Sequence, residues 1–78
     1  MAHTPHELAQ EFPDHVDALH KLKIENSHFA KLADEYHDVN RAIHRADSGV
    51  EPTDDLHAEE MKRRRLQLKD EISAMLRG

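Results

Sequence analysis

Between Leu22 and Ala46, apolar residues recur at alternating steps of four and three, and this spacing constrains the fold more than any other feature of the chain. Every seventh residue from Leu22 is apolar: Leu22, Phe29, Tyr36 and Ile43. Leu32, Val39 and Ala46 interleave with them, and Glu25 is the single break. Such a heptad seam marks a helix that packs along its length against another helix. A second seam follows, made of Met61, Arg65, Leu68, Ile72 and Met75. Set antiparallel, the two match residue for residue. Ile43 faces Met61, Val39 faces Arg65, Tyr36 faces Leu68, Leu32 faces Ile72 and Phe29 faces Met75. The mirror point is Pro52, inside the stretch Ser48 to Thr53, whose glycine and proline read as a loop. Seam spacing and loop position thus agree on an all-α fold, an antiparallel two-helix hairpin of coiled-coil type.

The rest of the chain is placed around this hairpin. Thr4-Pro5-His6-Glu7 reads as a helix start, with Thr4 as cap and Pro5 in the first turn. Only a short helical turn fits before Phe12-Pro13, because a residue preceding proline is steered away from helix. Pro13 opens a new helix, with Phe12, Val16, Leu19 and Leu22 on its apolar face. At Glu25-Asn26-Ser27 two readings stay open. Either Asn26 caps a separate helix, the favoured reading, or one continuous helix runs from Asp14 to Asp47. Residues 1–12 are therefore an N-terminal extension, and residues 13–78 a single helical-hairpin domain. Its helices span about 14–25, 27–47 and 54–77, with a loop over 48–53 and Thr53 or Asp54 as the cap of the last helix.

The hairpin leaves apolar surface over. The last helix runs out opposite Asn26, so Phe12 to Leu22 has no hairpin partner. That helix folds back at Glu25-Asn26-Ser27, or its face meets another subunit. Leu66 and Leu76 lie off the seam and widen a second apolar face. Leu, Ile, Val and Phe make up only 16 of 78 residues, and association is the usual remedy for small domains without other staples. A homo-oligomer, dimer or tetramer, is expected, with a protein partner as well. The packing and interaction residues are Phe12, Val16, Leu19, Leu22, Phe29, Leu32, Tyr36, Val39, Ile43, Met61, Leu66, Leu68, Ile72, Met75 and Leu76.

Several function classes are disfavoured. The chain has no cysteine, which removes disulfides and thiolate metal sites. Its net charge of -5 argues against general affinity for phosphate backbones. No apolar run reaches the roughly 20 residues that cross a bilayer. The first residues, Met1 to Pro5, have neither a basic nor an apolar signal region, so a cytoplasmic protein is expected.

Phe12-Pro13, Leu22-Lys23-x-Glu25-Asn26, Phe29 with Leu32, Ile43, and the block Leu66-Gln67-Leu68-Lys69-Asp70-Glu71-Ile72 together give a further signal. Over roughly Phe12 to Leu76 the chain resembles the YdcH-like family of small uncharacterised bacterial proteins. The resemblance implies an all-helical hairpin and a cytoplasmic bacterial protein, and it supplies no catalytic residues. Ser27 stands where similar sequences often have proline.

Two constellations could carry chemistry. The chain holds eight histidines, and carboxylate precedes histidine by three at Asp17 and His20, Glu25 and His28, Asp34 and His37, and Asp54 and His57. Di-iron bundles use Glu-x-x-His pairs that project inward. Here His20, His28 and His37 lie off the seam, and the simpler account is solvated histidine beside an acid. No metal, cofactor or catalytic residue is expected, and the protein is expected not to be an enzyme. Lys62-Arg63-Arg64-Arg65 is the basic run. Glu59 and Glu60 precede Arg63 and Arg64 by four, the order in which ion pairs support a helix. Six acids balance six bases between Asp54 and Arg77. The basic patch Lys62, Arg63, Arg64 and Lys69 thus carries the alternative function, a nucleic-acid-binding or regulatory accessory. Arg65 sits on the seam and is expected to reach Glu35 or Asp38. The leading expectation is a non-enzymatic helical interaction or scaffold protein that self-associates through its seams.

Overall fold

The computed structural model describes residues 6–49 and 54–77, and among these there is no strand. A single helical turn, α1 (Leu8–Glu11), leads through a 3-10 turn at Pro13–His15 into α2 (Val16–Glu25). Then come the two long helices, α3 (Ser27–Asp47) and α4 (Asp55–Arg77). At 1.5 Å rise per residue, the 23 residues of α4 span about 35 Å, close to the 37 Å long axis of the molecule.

Local chemistry explains each boundary. The first helix begins at Leu8, after Glu7 in extended conformation, which is later than the Thr4-Pro5 start that the sequence suggests. Thr4 and Pro5 themselves lie outside the described residues. Pro13 holds the next segment in a tight 3-10 turn, so regular α-helix starts only at Val16. Asn26 separates α2 from α3: it is extended (φ -129°, ψ 107°), and its Oδ1 accepts the Phe29 N–H at 3.1 Å. The capped break, rather than one continuous helix, is therefore the structure adopted. α3 ends at Asp47, where Ser48 Oγ donates to the Arg45 carbonyl and Gly49 takes a left-handed φ of +80°. Only glycine adopts that conformation without steric cost. Asp54 caps α4 by accepting the His57 N–H at 2.7 Å. The loop residues 50–53, with Thr53 and the mirror point Pro52, fall outside the described residues.

α3 is the central element. One side packs on α4 and the other on α2. Phe29, Leu32, Ala33 and Tyr36 of α3, Leu68 and Ile72 of α4, Leu19 of α2 and Leu8 of α1 form one buried cluster. Phe12, Leu22, Val39, Met75 and Leu76 pack around it, half-buried. Ile43 is buried further along α3, and Met61 is half-buried. Three cross-helix polar pairs, Asp47 with Lys62, Asn40 with Arg65 and Glu35 with Arg64, lie on either side of the predicted hairpin register.

The question of the unpartnered N-terminal helix is answered within the chain. α2 folds back on α3, with Leu19 in the core and Leu22 and Phe12 against it. Val16 departs from the expected apolar face: at 39% exposure it sits at the rim. It is the first residue of α2, at the end of the helix, one turn before the buried Leu19.

Candidate functional site

Three tertiary polar contacts meet where the N-terminal arm, residues 6 to 12, crosses the α3–α4 hairpin. α1 is one turn long, too short to persist alone, so side chains must hold it. Leu8 plugs into the core. His6 sits at φ +63°, a left-handed conformation uncommon for any residue but glycine. Its carbonyl accepts a 2.6 Å hydrogen bond from the Tyr36 hydroxyl. Glu11 Oε1 takes His6 Nδ1 at 3.2 Å and Lys69 Nζ at 3.4 Å, which ties the arm to α4. On the other side, Glu7 Oε2 lies 2.7 Å from His37 Nδ1.

The electrostatics follow from this crowding. Burial raises the Tyr36 phenol to about 12, the nearby Glu11 and Glu7 carboxylates add to the rise, and Arg65 partly opposes it. Tyr36 is therefore protonated at neutral pH and able to donate to His6. Burial acts upward on Glu11 too. The hydrogen bonds and charges of His6 and Lys69 outweigh it and hold that carboxyl below its ordinary range.

Beside the arm, Arg65 bridges to α3. Its Nη1 donates to Asn40 Oδ1 at 2.9 Å, and Asn40 is 1% exposed. This corrects the expectation that Arg65 reaches Glu35 or Asp38. Arg64, one residue earlier and turned outward, is the side chain that takes Glu35, at 2.6 Å. The guanidinium of Arg65 enters the helix interface, where a neutral amide is the acceptor in reach.

The remaining sequence candidates spread over the molecule. Lys62 lies 3.8 Å from Asp47, and Lys69 bonds Glu11, so three of the four patch cations, with Arg64, face acids on other elements. Arg63 is exposed. His20 and His28 are exposed as expected, whereas His37 is half-buried against Glu7. Among the described residues, no three of His, Cys, Asp and Glu converge as a metal ion would require. No helix among them is long and apolar enough to cross a membrane. Leu66 is 59% exposed, consistent with its place off the seam, whereas Leu76 packs against the core.

Sequence reasoning passed over Leu8, Ala33 and Asn40, all buried. Ala33 and Asn40 could have been found, since they lie four residues after Phe29 and Tyr36 on the same face of α3. Nothing in the periodicity places Leu8, because its helix is a single turn.

A family model described as a protein of unknown function (DUF465) matches residues 29–76. That span begins three residues after the Asn26 break and contains nearly all of α3 and α4. No curated protein and no solved structure matches the chain.

Proposed function

The chain belongs to that family of unknown function, to which the YdcH-like proteins also belong, and from this premise we propose that it is a non-enzymatic helical interaction protein of the cytoplasm that self-associates. The observation that supports this reading is apolar surface left over once the core is filled. Ile24 is 84% exposed, Leu56 68% and Leu66 59%. The three stand on separate stretches of α2 and α4, so the support lies in their number, three of only 16 Leu, Ile, Val and Phe residues in the chain, rather than in one continuous patch. Small size points the same way, since domains of this length bury a modest share of their surface alone. A nucleic-acid accessory role through Lys62, Arg63, Arg64 and Lys69 has weaker support, because three of these cations already face carboxylates.

Light scattering coupled to size exclusion, over a concentration series, tests the reading. A dimer or tetramer mass supports it. A monomer at every concentration would sink self-association. An electrophoretic shift that weakens steeply with salt would instead favour nucleic acid.

A further inference from the structure

The break at Asn26 is unusual in how little separates it from continuous helix. The Asn26 N–H already bonds the Leu22 carbonyl at 2.8 Å, and the Asn26 carbonyl already accepts the Ala30 N–H at 3.0 Å. Both are the bonds an uninterrupted α-helix makes. Only three donors, at Ser27, His28 and Phe29, are withheld from the carbonyls of Lys23, Ile24 and Glu25. One of these, Phe29 N–H, is satisfied by the Asn26 side chain. The hinge is one residue long, with neither glycine nor proline in Glu25-Asn26-Ser27. Rotating Asn26 into the helical region would join α2 and α3 into one rod and restore all three bonds.

Such a rod cannot stand alone. Straightening lifts Leu8 and Leu19 out of the cluster they close and uncovers Phe29, Ala33 and Tyr36. The surface that fits this opening is the arm of another copy, since every contact made in one chain can be made between two. Short hinges and exchange of an identical element are a low-cost route to dimers. We infer that the protein dimerises by exchange of residues 6–25, with Asn26 as the hinge and α2–α3 continuous across it. The exchanged element lies entirely outside the family-matched hairpin. The inference rests on the self-association reading for the existence of a dimer and on the hinge geometry for its form, since exchange re-makes the core contacts and does not draw on Ile24, Leu56 or Leu66.

The test uses the 2.7 Å approach of Glu7 to His37. The double variant Glu7→Cys with His37→Cys, in a chain otherwise without cysteine, is bridged with a short bis-maleimide and run on a denaturing gel. Exchange joins two chains covalently, whereas a closed arm gives a bridge inside one chain. Two hinge variants move the equilibrium in opposite directions. Ser27→Pro holds the break, because Asn26 already has the extended conformation that precedes proline and proline suits the first helical position. It is expected to give monomer with bridges inside one chain. Asn26→Ala removes the cap and favours the rod. It is expected to tighten the dimer about thirtyfold, about fivefold for each of two caps given up. A dimer that persists in Ser27→Pro with bridges inside single chains overturns the exchange and leaves self-association standing. Monomer for the unaltered chain and Asn26→Ala alike overturns both.

Discussion

The Tyr36 hydroxyl donates a 2.6 Å hydrogen bond to the main-chain carbonyl of His6, thirty residues earlier in the chain. Through it the largest fully buried side chain of the hairpin holds the short N-terminal arm. The seam puts Tyr36 in the core, while its polar end needs a partner there. The arm supplies one by turning His6 into a left-handed conformation.

Tyr36→Phe is therefore expected to lower stability by about 0.5–1.5 kcal/mol, the usual worth of such a bond, measured by urea unfolding. The chain has one tyrosine, so alkaline absorbance titration reports this group alone. Its folded pKa is raised to about 12, above the ordinary value of about 10. Stability is then full below pH ~10 and is lost as pH rises through the folded value. A titration midpoint near 10 in the folded protein would contradict the buried, bonded phenol.

Glu11 works at the acid end. Its folded pKa is depressed by His6 and Lys69, so its contribution is present above the unfolded value of about 4.3 and is lost as pH falls through the folded one. Glu11→Gln is expected to remove part of the acid sensitivity and to loosen the arm, with faster amide exchange at Leu8 to Phe12. Identical acid unfolding curves for the two proteins would count against the Lys69–Glu11 tie.

Arg65 and Arg64 are neighbours with different worth. Arg65→Ala leaves the buried Asn40 without this charged donor and also loses packing by its stem. A cost of about 1–3 kcal/mol is expected. Arg64→Ala gives up an exposed pair with Glu35 and is expected to cost under about 1 kcal/mol. Thermal unfolding of both variants decides it, and the reverse order would mean the Asn40 bond carries little.

The hairpin register gives a fourth expectation. Cysteines replacing Leu32 and Ile72 should oxidise to an intrachain disulfide readily, and those replacing Leu32 and Leu68 poorly. Efficient bridging of the second pair alone would shift the register by a turn.

The two long helices, their antiparallel pairing and the stops between them were legible in the residues alone. Those depend on local matters: a seam repeating every seven residues, Asn26 and Asp54 as caps, Gly49 beyond the end of α3. Periodicity and capping act within a few residues, so the chain displays them openly. Three further features were settled by packing: α2 folds back on α3, Leu8 completes the core, and Arg65 takes Asn40 instead of a carboxylate. In each case two outcomes have the same local chemistry. An apolar face on α2 is buried equally well by its own hairpin or by another molecule's. A guanidinium on a seam bonds whichever acceptor the facing helix brings within reach. Local pattern says that such groups need partners, and the geometry of packing chooses which.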